Sequence, residues 1–172
     1  MATSERNMVD VNKLLLEGGV RLEITGGVPT WEAFPGFRHQ HTVMRILLSI
    51  VALRQSDSGC DCFSYPDVDI HFPDGSFKRP DISIFCYEPP MQDGSLTVLP
   101  SAAIEIISPD YEYKDRVLNP PFYLSQGVMD VVIVEPRTGE VWHYRQDGMV
   151  EHKAPVTLEL QCGCRCAVPE PC

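Results

Sequence analysis

The chain has 172 residues, 44% of them hydrophobic and 22% charged, with a formal net charge of −10. This is the composition of globular rather than disordered chains, and no apolar run reaches the length of a bilayer span, so no membrane association is expected. The acidic balance weighs against a broad, non-specific grip on a phosphate backbone, which needs a basic surface. The length suits one substantial core, and residues 1–172 are read as a single domain. The first residues, Met1 to Asn7, carry no basic segment followed by an apolar one, which predicts a cytoplasmic protein.

In chain order, Val9 to Glu17 reads as a short helix stopped by Gly18-Gly19. Val20 to Ile24 alternates as an exposed strand does, Gly26-Gly27 turns, and Val28 to Phe34 returns as a hairpin partner. Glu23 lies on the first of these strands, where an ordinary exposed charge accounts for it. After Pro35-Gly36, the spacing of Val43, Ile46, Leu47, Ile50 and Val51 predicts a helix over His39–Arg54. His39 and His41 fall in its first turn, and His39 reads as a surface or substrate-facing residue.

Cys60 to Phe72 is predicted as one strand with Asp67, Asp69 and His71 on its wet side. Pro73 to Ser76 is a turn, and Phe77 to Tyr87 returns as a strand carrying Asp81. Asp69 and Asp81 are then cross-strand neighbours, which makes Asp69 a candidate third acid, with a solvent-facing role as the plainer reading. Ala102 to Ile107 is another short apolar strand, carrying Glu105. Asp110 to Arg116 reads as a polar loop and Asn119-Pro120-Pro121 as a helix start, with the helix ending at Gly127. Met129–Val134 and Glu140–Arg145 read as strands, followed by the Asp147-Gly148 turn, one more strand beyond Pro155, and a tail holding Cys162, Cys164, Cys166 and Cys172. The C-x-C spacing of that tail does not fit the usual zinc-ligand pattern.

The chemistry concentrates in Asp81 and Glu105. A strand end facing water accounts for either acid alone. Together, on adjacent buried strands, they stand side by side, and two carboxylates that close resist joint ionisation unless a cation lies between them. Oxygen ligands of this kind suit a hard ion such as Mg2+ or Mn2+.

Arg79-Pro80-Asp81, Glu105-Ile106-Ile107-Ser108-Pro109, Tyr123 to Val128 and Val132 to Pro136 occur in an order and spacing that resembles the Uma-two family. That family comprises restriction-endonuclease-like proteins of the PD-(D/E)XK nuclease superfamily. The resemblance runs from about Val20 to about Gly148. It implies an α/β fold of the α+β type, with a restriction-endonuclease-like mixed central sheet flanked by helices. It also implies a metal-dependent DNA endonuclease that pairs two copies as a homodimer. Asp81 and Glu105 match the catalytic and metal-binding acids, and the Ile106 carbonyl matches the backbone ligand. Glu23 matches an accessory acid, and His39 falls where relatives often carry histidine.

The chain departs from the family at the lysine. Position 107 is isoleucine, and the alternative helix position, four residues before Tyr123, is Asn119. Lys114, in the loop ahead, is then the candidate replacement ammonium. Two other readings stand beside the nuclease. One is a degenerate nuclease fold that binds nucleic acid or a protein partner without cutting; the other is an assembly module built on edge strands and the cysteine tail.

Overall fold

The computed structural model describes residues 20–53, 59–109 and 111–171. The helix expected over Val9–Glu17 lies outside these residues. Among them, three sheets and two α-helices make an α+β fold.

The central layer is a six-stranded sheet. It contains β4 (Phe63–Pro66), β7 (Ile82–Phe85), β8 (Ala102–Ile106), β9 (Asp130–Val134), β10 (Glu140–Arg145) and β11 (Gly148–Lys153), in the order β11-β10-β9-β8-β7-β4. The sheet is mixed: β8 and β9 run parallel, and the other neighbours are antiparallel. Every residue of β7, β8 and β9 is buried, as expected for strands covered on both faces. Period-two alternation sends Ile82, Ile84, Ala102, Ile104, Ile106, Val132 and Val134 into one core. Phe85, Ala103, Ile107, Val131 and Ile133 enter the other.

Helix α1 (Phe37–Leu47) covers the first face and buries His39, Thr42, Val43 and Ile46, one stripe at helical spacing. It ends seven residues before the expected Arg54. The Ser49 hydroxyl donates to Ile46 O and accepts the Ala167 N–H, which ties the chain to a neighbouring strand. Val51–Ala52 then form β3, paired with Arg165 and Cys164. The β-branched Val51 therefore belongs to a strand rather than to the helix it extends by periodicity. Cys164 and Cys166 of the cysteine tail lie on a strand, β13 (Cys164–Val168), between β3 and β12 (Val156–Glu159), and Cys172 lies outside the described residues.

The strand expected over Cys60–Phe72 is broken in two. Asp67 adopts a left-handed backbone (φ 59°), and the chain leaves β4 to form β5 (Ile70–His71). The strand expected over Phe77–Tyr87 breaks at the same level into β6 (Phe77–Lys78) and β7. Pro80, which has no N–H for a ladder, stands between them. Strands β5 and β6 belong to a second sheet with the hairpin β1 (Val20–Thr25) and β2 (Val28–Ala33), in the order β2-β1-β6-β5. The Arg79-Pro80-Asp81 corner is thus the point where one hairpin passes from the second sheet into the central one.

The stretch expected as a polar loop also differs. Residues 112–113 are helical, and Lys114–Leu118 form a π-helical turn that runs directly into α2 (Asn119–Ser125). Asn119 is therefore inside a helical segment, and its side chain caps nothing. Gly127 follows α2 in a left-handed conformation (φ 95°), as a helix-ending glycine does.

One buried acid is structural. Asp130, fully buried on β9, accepts hydrogen bonds from His143 Nε2 (2.7 Å), Arg145 Nε (2.8 Å) and the Gln161 backbone N–H (2.7 Å). It joins β9 and β10 to the turn that leads into β13. Asp130→Ala is expected to cost about 2–4 kcal/mol, because it strands the buried His143 and removes the acceptor of two partly buried hydrogen bonds. Chemical denaturation checks this; an unchanged midpoint contradicts it.

Candidate functional site

Because β7 and β8 pair with Ile82 opposite Ile104, Asp81 stands beside Glu105 on the same face of the sheet. The Asp81 backbone N–H donates to Glu105 Oε2 at 3.2 Å, and the Ile106 N–H donates to Asp81 Oδ2 at 2.8 Å. Both acids are buried.

Each acid is held by a separate set of donors. His39 Nε2 lies 2.9 Å from Asp81 Oδ2. A carboxylate there accepts, so this nitrogen carries the hydrogen. His39 Nδ1 is buried without a partner among the described residues. The histidine is therefore an interior residue of the site; of the two expected roles, surface or substrate-facing, burial removes the surface one. The Arg21 guanidinium lies 3.5 Å from Asp81 Oδ1. Glu105 Oε1 accepts from the Tyr123 hydroxyl at 2.7 Å and from Asn119 Nδ2 at 3.2 Å. Both donors come from α2, which packs over this face.

A second layer adjoins the pair. Glu23, buried on β1, accepts from Lys78 Nζ at 2.9 Å, from Lys114 Nζ at 3.2 Å and from the Arg79 N–H at 3.2 Å. Lys114 also pairs with Glu32 of β2, and Asp115 lies 3.6 Å from it. Lys114 is not a solvated loop lysine: its side chain is only 13% exposed and faces three carboxylates. The π-turn accounts for this placement. Its i→i+5 spacing stacks position 114 over position 119, and the Asn119 N–H bonds to Lys114 O. Lys78 Nζ donates to Asn119 Oδ1 at 2.8 Å. An ammonium therefore does stand beside the position where a lysine was expected, but it comes from β6.

The structure thus gathers Asp81, Glu105, Ile106, His39, Asn119, Glu23 and Lys114. It does not bring in Asp69, which is partly exposed and lies 3.7 Å from Arg79. Asp67, not Asp69, is opposite Asp81, with its N–H on Asp81 O at 3.2 Å, because the chain breaks at Asp67. Sequence reasoning missed Arg21, Glu32, Lys78, Asp115 and Tyr123. Alternation of β1 and β2 places Arg21 with Glu23, and Glu32 opposite Arg21, but nothing local in the sequence says that this face is covered.

The charges do not balance. Five carboxylates, Glu23, Glu32, Asp81, Glu105 and Asp115, share the cluster with three permanent cations, Arg21, Lys78 and Lys114, a deficit of two positive charges. The consequences differ from acid to acid. Burial would raise Asp81, but the His39 hydrogen bond and the Arg21 charge outweigh it and hold the carboxyl below its ordinary value. Burial and the Asp81 charge push Glu105 well above its ordinary value, although all its hydrogen-bond partners are donors suited to an anion. Burial, against the pull of Lys114, lifts Asp115 to about 7. Burial and Glu105 raise Tyr123, which keeps its proton and donates it. A site that orients Glu105 as an anion while lacking two positive charges has the donor set of a divalent-cation site made of hard oxygen ligands.

Beside the pair is a groove of about 370 Å³ lined by residues that include Phe37, His39, Ile107, Ser108, Tyr111 and Arg137.

Comparison with known proteins bears on the family and the fold. A family model described as Uma2, putative restriction endonuclease, matches residues 9–162. A solved structure from Anabaena variabilis ATCC 29413, described as a putative nuclease belonging to DUF820, superposes with a TM-score of 0.64 at 20% identity. The match covers 80% of this chain and 79% of that one, and at this identity it speaks for the fold. No curated protein sequence matches the chain.

The raised Asp115 has a consequence for stability. Between the ordinary carboxyl value and about 7, the folded chain holds a proton on Asp115 that the unfolded chain has lost. Stability contributed by this group therefore falls as pH rises through that window. Thermal melts of metal-free protein should show a lower midpoint at pH 8 than at pH 5, and Asp115→Asn should reduce the difference. An Asp115→Asn profile parallel to that of the parent contradicts the assignment.

Proposed function

The chain belongs to the Uma2 family of putative restriction endonucleases, and from that membership and the buried acid pair we propose a divalent-metal-dependent endonuclease that hydrolyses phosphodiester bonds in DNA. The observation that carries the proposal is the pairing of Asp81 with Glu105 on one sheet face, inside a cluster short of two positive charges. Mg2+ or Mn2+ fits this donor set. Asp81, Glu105 and the Ile106 backbone carbonyl would hold it. When bound, such an ion polarises the scissile phosphate and lowers the pKa of a bound water.

The chain's own residues supply the rest. His39 and Arg21 keep Asp81 ionised and oriented. Tyr123 and Asn119 fix the Glu105 carboxyl by hydrogen bonds from α2. Lys114 stays protonated: burial opposes its charge, but Glu23, Glu105, Asp115 and Glu32 overcome that. It is the proposed source of positive charge for the developing phosphorane. Lys78, beside Asn119, is the second candidate for that role. Exposed Arg38 and the groove next to His39 give the DNA backbone an approach from the α1 side. Pairing of two copies would place one such site on each strand, and light scattering at high protein concentration tests it.

A non-cutting binding module is the second reading. Asn119 replaces the expected lysine, and both nearby ammonium groups are already engaged by carboxylates.

Cleavage of plasmid DNA with Mn2+ separates the two. Asp81→Asn and Glu105→Gln should each abolish cutting, because each removes a hard anionic ligand. Lys114→Met should lower the rate about a hundredfold or more, as loss of an oxyanion-type donor does. It should also destabilise the fold by about 3 kcal/mol, since it leaves buried carboxylates unpaired; circular dichroism therefore accompanies the assay. If Lys78 rather than Lys114 supplies the charge, Lys78→Met is the damaging change, and Lys78→Met with Asn119→Lys restores activity. A wild-type protein that binds Mn2+ through Asp81 without cutting any DNA supports the binding module and overturns the nuclease.

A further inference from the structure

Away from the acid cluster, five cysteines from three separate chain segments converge. Cys60 and Cys62 lie on the loop before β4, Cys86 just follows β7, and Cys162 and Cys164 flank the turn into β13. The sulfurs of Cys60, Cys62 and Cys164 all lie within 4.8 Å of one another, and so do those of Cys60, Cys86 and Cys162. Cys60 is paired with Cys86, and Cys62 with Cys164, as disulfides. Sulfurs drawn from three chain segments into two overlapping groups, with Cys60 common to both, form the kind of gathering that the ligands of one ion require. We propose that Cys60, Cys62, Cys86 and Cys164 are the four thiolate ligands of a structural zinc ion that fastens the β12-β13-β3 sheet to the edge of the central sheet.

The geometry between the two pairs supports this. Cys60 Sγ lies 3.5 Å from Cys164 Sγ and 4.0 Å from Cys62 Sγ. Four sulfurs at Zn–S bonds of about 2.3 Å in a tetrahedron are about 3.8 Å apart. Cys60, Cys62 and Cys164 are buried, as suits a closed structural site. The backbone is shaped to present them. Cys62 adopts a left-handed conformation (φ 57°), which is unusual for a side chain of its kind. The Asp61 N–H bonds to Cys86 O at 3.1 Å, which locks the Cys60–Cys62 loop against Cys86. Gly163, at φ 90°, makes the tight turn between Cys162 and Cys164.

Cys86 is assigned as the fourth ligand because the Ser101 hydroxyl donates to its sulfur at 3.3 Å, a hydrogen bond that suits a thiolate. Cys162 is left as a buried free thiol. The tail alone hides this pattern, since it supplies one ligand and the Cys60-x-Cys62 pair lies some hundred residues earlier. Zinc uptake by four newly synthesised thiols releases their four protons and transfers no electrons. The two disulfides would instead require an oxidant to accept four electrons.

Elemental analysis of protein purified without added metal should find about one zinc per chain. Release should follow titration with a mercurial thiol reagent and be read by a zinc-sensitive dye. Cobalt substitution should give the thiolate-to-metal charge-transfer and ligand-field bands of a tetrahedral sulfur site. Cys62→Ser and Cys164→Ser should lower the zinc content and the melting temperature, while Cys166→Ser, a buried thiol outside the cluster, should keep the zinc. Should Cys62→Ser fail to fold, the cobalt spectrum of the parent still decides. Zinc-free parent protein overturns the proposal, whether its thiols are free or locked as disulfides that react only after reduction. Loss of zinc leaves the Asp81–Glu105 reading untouched, because that pair shares no residue with the cysteine cluster.

Discussion

The site depends on a single electrostatic constraint: Asp81 and Glu105 are pressed together in the interior with too little positive charge around them. A hydrogen bond from the Asp81 backbone to Glu105 sets their separation, so neither acid can relax away without breaking the β7–β8 edge. Two carboxylates that close do not ionise together in a dry interior. The chain resolves the conflict asymmetrically. It gives His39 and Arg21 to Asp81 and leaves Glu105 with neutral donors. The resulting shortfall has the charge of one divalent cation, which makes a metal ion the simplest completion of the cluster.

The fold is arranged to make that conflict unavoidable. One hairpin begins in the β2-β1-β6-β5 sheet and ends in the central sheet, and Pro80 interrupts the ladder where it crosses. Asp81 is the first residue beyond the break and therefore faces both layers. From the second sheet, β1 and β2 carry Arg21, Glu23 and Glu32 up to it. From the other direction, α2 and the π-turn before it lay Asn119, Tyr123 and Lys114 across the same face. The π-turn matters because an ordinary helical turn would not stack residues five apart.

Much of this was legible in the sequence, and the rest was hidden for identifiable reasons. Short Ile-rich runs bounded by proline and serine marked β7 and β8, and their adjacency placed Asp81 beside Glu105. The glycine pair marked the β1–β2 hairpin. What could not be read were the places where a continuous pattern is cut. Val68, Ile70 and Phe72 alternate as if they continued β4, yet Asp67 turns the chain into another sheet. Ile50 and Val51 keep helical spacing, yet β13 captures Val51 as a strand. At Val51 a partner distant in sequence overrides the local period, and at Asp67 a left-handed backbone does. The burial of Glu23 and Lys114 was equally invisible, because a charged residue reads as solvated until its partners are known. Lys78 reaching the Asn119 position from β6, and five cysteines meeting across three segments, are purely tertiary facts.

The most direct measurement of the central claim is anomalous diffraction from a crystal of the protein soaked in Mn2+. An anomalous peak bound by the carboxylates of Asp81 and Glu105 is expected, and it should be lost in Glu105→Gln crystals treated in the same way. A map in which manganese is absent from that pair at a concentration that saturates other acidic sites, with Asp81 and Glu105 unmoved, would contradict it.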